Sequence, residues 1–258
     1  MRKPDKPASR KALLIEEDVI SIGEMKDECM FVVDGGALLH RVCWIKGMSF
    51  SEIGKLYVEY IRKHYRKATV VFDGYKELST KSCEHKRRAG NGARYPDIEI
   101  VESNKVQFPQ ERFLSNEGNE EQIIKLISNF LRDDSQTVLN CTGDADTTIV
   151  STALGYCTSG SLVVVVEDDT DIVTMLLLYH WKKEMGDLIF FQERLNCGWN
   201  VKSAALRLDM EREHLLFVHA MSGCDTISAP FGKGKASFLN LFKKSEELKE
   251  ISDTMSDV

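Results

Sequence analysis

The sequence predicts an α/β fold built on a mainly parallel central sheet flanked by helices. Short apolar runs alternate with amphipathic helical stretches, the pattern of strands joined by helical crossovers. The purest run, Leu162-Val163-Val164-Val165-Val166, has no polar position to turn toward water, as expected of a strand buried on both faces. Four of the runs end in, or shortly before, aspartate: Asp34, Asp73, the pair Asp144/Asp146 and the pair Asp169/Asp171. In a parallel sheet such ends share one edge, and ligands bind outside the carboxyl ends of the strands.

Taken in order, residues 1–12 are rich in Lys, Arg and Pro and read as a solvated tail. Met30-Phe31-Val32-Val33 is the first strand, ending at Asp34-Gly35-Gly36 and followed by a helix from about Ala37 to Trp44. Ser49 and Glu52 have capping-box spacing. They open a helix whose Ile53, Leu56, Tyr57, Tyr60 and Ile61 recur at helical intervals. Thr69-Val70-Val71-Phe72 is the second strand, ending at Asp73-Gly74, and a basic segment with Lys76, Lys81, Lys86, Arg87, Arg88 and Arg94 follows. Between Ile98 and Leu114, Pro109 argues against a long helix. Ile123, Ile124, Ile127, Phe130 and Leu131 mark an amphipathic helix, and Thr137-Val138-Leu139-Asn140 is the third strand. Gly143-Asp144-Ala145-Asp146 opens a helix before the valine run, and a further helix follows Asp171 to about Trp181. Leu188-Ile189-Phe190-Phe191 is a fifth strand; helices follow over Val201 to Leu208, Arg212 to Met221, and from Lys235 through Phe242. The expected layout is a basic lead-in over 1–29, a core over 30–222, an element around Gly232-Lys233-Gly234 over 223–244, and a solvated acidic tail over 245–258.

Composition narrows the function classes. With 258 residues, 43% hydrophobic and 29% charged, the chain can bury a sizeable core. No apolar run approaches a membrane span, and no apolar stretch follows the basic N-terminus as a secretory signal requires. The expectation is a nuclear or cytoplasmic protein that is not secreted and does not contact membrane. Arg2, Lys3, Lys6, Arg10 and Lys11 could also serve as a nuclear address. Seven cysteines without a C-x-x-C pair, with Cys29, Cys43, Cys141 and Cys224 in or beside apolar runs, read as reduced, buried thiols. Cys83-Glu84-His85 lacks zinc-ligand spacing. A net charge of −6 argues mildly against a sequence-independent nucleic-acid binder. Acids gathered in one metal pocket would leave the remaining surface near balance.

A single aspartate at a strand end is ordinarily a turn former or a helix N-cap. Two D-x-D pairs plus two further aspartates on one edge strain that explanation, because clustered carboxylates repel and call for a cation. Mg²⁺ prefers oxygen, keeps several waters and is held by one or two carboxylates plus substrate phosphates. Two such ions, roughly 3.5–4 Å apart, clamp an in-line phosphoryl displacement. The six histidines are scattered, and no Ser-His-Asp or Cys-His arrangement is suggested; His219, on an apolar helix face, reads as a core histidine.

Strand-Asp34, Val71-Phe72-Asp73-Gly74, the D-x-D opening a helix, Glu167-Asp168-Asp169-Thr170-Asp171 and Gly223-Cys224-Asp225 occur in the order and context of the flap endonuclease (XPG-like) branch of the PIN-like nucleases. The sequence resembles that family from about Phe31 to Phe242, and resembles animal proteins that share the GDADT and SGCDT segments. The resemblance implies a PIN-like, flap-endonuclease-like fold with a C-terminal helix-hairpin-helix element, and a structure-specific nuclease dependent on two Mg²⁺ or Mn²⁺. Asp34, Asp73, Asp144 and Asp146 would serve one ion, and Asp169, Asp171 and Asp225 the second. Lys81 and Arg88, two helical turns apart, match basic residues that polarise the scissile phosphate. Gly232-Lys233-Gly234 with Lys235 resembles the hairpin that grips duplex backbone, where K⁺ also binds; Lys243 and Lys244 would add charge. DNA is the implied partner ahead of RNA.

Three departures stand out. Aspartates occupy Asp144 and Asp146, where the family more often has glutamates; the interval from Arg88 to Cys141 shows no recognisable arch; and no sliding-clamp peptide is recognised. A catalytically inactive module that binds nucleic acid or a protein is the alternative. A phosphotransferase of the haloacid-dehalogenase type would carry its D-x-D on the first strand, which here ends in Asp34-Gly35-Gly36.

Overall fold

In the computed structural model, which describes residues 6–21, 29–74, 95–158, 161–179, 186–224, 227, 230 and 234–256, the apolar runs form the strands expected of them. The chain divides into two units, Met30–Ile149 and Met1–Cys29 with Val150–Val258. Helix α1 (Lys6–Leu13) and the two-residue strand β1 (Val19–Ile20) come first in sequence.

The Met30–Ile149 unit is built on β2 (Cys29–Asp34), α2 (Gly35–Arg41), α3 (Phe50–Tyr65), β3 (Ala68–Phe72), α4 (Gln110–Leu114), α5 (Glu117–Asp133) and β4 (Thr137–Asn140). The start of α6 (Ala145–Thr158) closes it. β3 lies between β2 and β4, parallel to both, with Asp34 opposite Val71 and Phe72 opposite Asn140. Val32, Val33, Val70 and Val71 are fully buried, which is why these strands carry no polar alternation. α3 packs on α5, and the residues whose spacing predicts the two helices, Ile53, Tyr57 and Ile61 on one and Ile123, Ile127 and Leu131 on the other, are all buried. The Ser49–Glu52 capping box forms, with Glu52 N donating to Ser49 Oγ at 3.2 Å and Ser49 N to Glu52 Oε2 at 2.7 Å. Those backbone and side-chain bonds from Ser49 hold the Glu52 carboxyl below its ordinary pKa. Pro109 starts the short helix α4 rather than interrupting a long one.

The second unit contains β5 (Leu162–Val166), α7 (Thr170–Tyr179), β6 (Leu188–Gln192), β7 (Cys197–Asn200), α8 (Val201–Leu208), α9 (Arg212–Met221), α10 (Lys235–Lys244) and α11 (Glu246–Ser256). β5 and β6 are parallel, whereas β7 returns antiparallel to β6 and β1 pairs antiparallel with β7. Neither antiparallel strand is expected from the sequence. β1 has two residues, and Cys197-Gly198-Trp199-Asn200 lacks a β-branched run.

Both termini differ from the solvated tails expected. α1 buries Ser9 and Leu13, and the Arg10 guanidinium lies 4.9 Å from the Trp199 ring centroid. Beyond it, buried Asp18 accepts from Arg207 Nη2 at 2.7 Å and from Ser203 Oγ at 3.0 Å, while the same guanidinium donates to Leu13 O at 2.6 Å. A terminus tied down this way stays ordered. At the other end α11 buries Ser252, and Asp253 Oδ1 lies 2.7 Å from His214 Nε2 on α9. Of the cysteines expected to be buried, Cys29 is buried, Cys141 and Cys224 are half-buried, and Cys43 is exposed in the loop after α2. No helix of the described residues is long and apolar enough to cross a membrane.

Two outcomes follow. Arg207→Ala strands a buried carboxylate and costs about 3 kcal/mol in urea unfolding. Burial, with Asp187 nearby, pushes the Cys157 thiol up to about 11, so thiolate-selective reagents at pH 8 label Cys43 while leaving Cys157 untouched in the native protein.

Candidate metal and phosphodiester site

Each acidic group arises where a parallel strand runs out and a helix begins. In the Met30–Ile149 unit, Asp34 is the last residue of β2 and the N-cap of α2. Its Oδ1 accepts from Gly36 N at 2.8 Å and its Oδ2 from Ala37 N at 3.0 Å. Asp73 follows β3, one strand over and two residues beyond Val71, the register partner of Asp34. Its Oδ1 accepts from Ala145 N at 2.8 Å, at the first residue of α6. The carboxylate at the end of β3 therefore caps the helix that carries Asp144 and Asp146 at its start. Asp34, Asp73 and Asp146 are half-buried, and Asp144 is exposed.

The glycines after these aspartates have steric reasons. A Cβ on Gly35 would sit 2.3 Å from Phe72 Cδ1, and a Cβ on Gly74 would sit 1.9 Å from the Cys141 carbonyl oxygen. Gly74 N donates to Gly143 O at 3.0 Å and Cys141 N to Phe72 O at 3.0 Å, joining the loop after β3 to the loop after β4. The strand-Asp-Gly motif thus places a carboxylate and then lets the neighbouring backbone close over it.

In the second unit, β5 ends at Val166 and the buried Glu167 turns back on the chain. Its Oε1 accepts from Asp168 N at 2.7 Å and Asp169 N at 2.9 Å. Asp169 Oδ1 accepts from Asp171 N at 2.9 Å and caps α7; both aspartates are half-buried. Asp168 Oδ2 pairs with Arg194 Nε at 2.9 Å. The organising role of Glu167 and the Arg194 partner are not foreseen in the sequence reading. The signal is that β5 and β6 are parallel neighbours, so the loops at their carboxyl ends meet.

Lys81, Arg88, Asp225, Gly232 and Lys233 lie outside the described residues. Lys235, expected at the surface, is buried, with Nζ 2.6 Å from Nδ1 of His219, which is half-buried. Its ammonium faces the protein because it is drawn to an imidazole acceptor. Gly234 caps α10 in extended backbone, and a Cβ there would meet nothing within 4 Å.

Among the described residues no three His, Cys, Asp or Glu side chains group closely enough to cage a metal ion. A closed cage is not what Mg²⁺ takes; one or two carboxylates with water and substrate phosphates suffice. The donors are all hard oxygen, and a carboxylate has about four lone-pair sites, of which capping uses only one or two. The carboxylates present therefore fit a hydrated divalent ion in kind.

Neither protein-family models nor curated proteins give a match to the chain. Solved structures do. The catalytic core of Rad2 in complex with DNA substrate aligns over 93% of this chain and 74% of its own, at TM-score 0.53 and 13% identity. The bacteriophage T5 D15 flap endonuclease, in a complex with DNA and metal ions, aligns over 84% of this chain and 75% of its own, at 0.50 and 15%. The fold is that of the flap endonucleases. The eukaryotic junction-resolving enzyme GEN-1 aligns over 97% of this chain at 0.52 and 12%, and the chain spans 55% of that structure. At these identities the likeness is one of flap-endonuclease fold.

Gly74→Ala drives a methyl group into backbone and lowers the melting temperature by at least about 5 °C, whereas Gly234→Ala shifts it by less than about 2 °C. Thermal unfolding by circular dichroism reads both.

Proposed function

We propose that this chain is a divalent-metal-dependent nuclease that hydrolyses phosphodiester bonds, of the structure-specific 5′ endonuclease type, acting on DNA ahead of RNA. The observation that carries this reading is the set of aspartates at the carboxyl ends of successive parallel strands, Asp34, Asp73 and Asp144, in a chain with the flap-endonuclease fold. Asp34, Asp73, Asp144 and Asp146 would serve one Mg²⁺ or Mn²⁺, one or two of them directly and the others through water, and Asp169, Asp171 and Asp225 would serve the second. When bound, such ions neutralise the phosphodiester charge and orient the displacement.

The chain's own contribution is rigidity. Asp34, Asp73 and Asp169 are each fixed by helix amides, which holds their carboxylates in set orientations. Lys81 and Arg88 orient the scissile phosphate. At the start of α10 the side-chain-free Gly234 would let a phosphate approach the helix amides, and Lys233, Lys243 and Lys244 would supply charge, with K⁺ a further ion for the segment Gly232-Lys233-Gly234. Lys235, being buried, has no part in that surface.

The second reading is a non-catalytic module that binds nucleic acid or a protein. It is favoured by the capping bonds of Asp34, Asp73 and Asp169, which give each a structural use, and by the net charge of −6. Labelled flap, nicked and single-stranded DNA in Mg²⁺ or Mn²⁺ separates the two. The nuclease reading expects cleavage that falls at least about a hundredfold in Asp169→Asn/Asp171→Asn, some 2.7 kcal/mol in the barrier. Cleavage that survives in that variant overturns the mechanism. Absence of cleavage together with salt-sensitive DNA binding and no Mn²⁺ uptake in calorimetry establishes the module instead.

A further inference from the structure

The turn Glu167-Asp168-Asp169 is held by more than its own bonds. Gln192, the last residue of β6, reaches across the end of its parallel neighbour β5 and donates from Nε2 to the Asp168 carbonyl at 3.0 Å. Its Oε1 accepts from Arg10 Nη1 at 2.6 Å. The amide orientation is forced, because a guanidinium only donates and a carbonyl only accepts. Arg10 is itself fixed over the Trp199 ring. A further hold on the turn, Arg194 to Asp168, comes from a side chain 78% exposed and contributes little.

We infer that Arg10, acting through Gln192, is a positioning residue for the acidic turn that presents Asp169 and Asp171, making the N-terminal helix part of the metal-holding apparatus. The inference rests on the nuclease reading for its function and on the Arg10–Gln192–Asp168 chain for its structure. Partners that orient ligating carboxylates typically set metal affinity by ten- to a hundredfold. Arg10 and Gln192 both act on where the Asp168 carbonyl, and with it the next residue, is held.

The test compares the full chain with Arg10→Ala, Arg10→Lys, Gln192→Leu and the Arg10→Ala/Gln192→Leu double variant. Mn²⁺ titration calorimetry and amide hydrogen exchange at Asp168 and Asp169 are the readouts, with thermal unfolding confirming that each variant is folded. The expected result is an Mn²⁺ dissociation constant raised about tenfold in each alanine or leucine single variant. Arg10→Lys recovers part of the loss, and the double variant is no worse than the singles within about twofold, as two links of one chain require. Losses that multiply in the double variant, or wild-type affinity in both singles, overturn the inference. If the wild-type chain takes up no Mn²⁺, the nuclease reading fails, and amide exchange decides the positioning role alone. Faster exchange at Asp168 and Asp169 in both singles supports it, and unchanged exchange overturns it.

Discussion

The bond from the Ala145 amide to the Asp73 carboxylate is the interaction on which the acidic edge of the Met30–Ile149 unit depends. A parallel strand ends with a carboxylate that would otherwise repel its neighbours. A helix begins with amides that have no partner within the helix and with the positive end of its dipole. Each satisfies the other. The same exchange recurs at Asp34 with α2 and at Asp169 with α7. The arrangement helps an α/β chain hold aspartates at strand ends, because each amide bond and dipole favours the carboxylate, by roughly 0.3–1 kcal/mol for the dipole alone.

The close approach of loops matters as much as the bonds. Gly74 lets the segment after β3 lie directly on the Cys141 carbonyl, and this contact brings Asp73 within reach of α6 at all. Gly35 does the same for the ring of Phe72 beneath the start of α2. The motif is thus a packing solution, in which the carboxylate and the missing side chain act together.

Much of this is legible in the sequence. The valine-rich runs, the helix from Ser49, and the aspartates at strand ends follow from periodicity and strand polarity, and their sites in the fold agree with them. What is not legible has a common cause, since it depends on partners far away along the chain. Arg10 reads as tail charge until Trp199 and Gln192 are beside it. Lys235 reads as surface charge until His219 is found next to it. Glu167 reads as one more acid in a run, yet its side chain bonds the next two amides and shapes the turn. β7 is invisible because its pairing with β6, rather than its own residues, makes Cys197–Asn200 a strand.

Capping alone does not account for the choice of residue. Asn and Ser cap helices about as well as Asp, and without charge. A chain selected only for stability could put neutral caps at Asp34, Asp73 and Asp169, since the dipole already favours the acids Asp146 and Asp171 in the first turns of the helices that Asp73 and Asp169 cap. A cap need only accept a hydrogen bond, whereas a ligand for a hard divalent cation is best an anionic oxygen; the metal-dependent reading therefore explains why aspartate rather than asparagine or serine stands at Asp34, Asp73 and Asp169, while the purely structural one explains only that a cap is there.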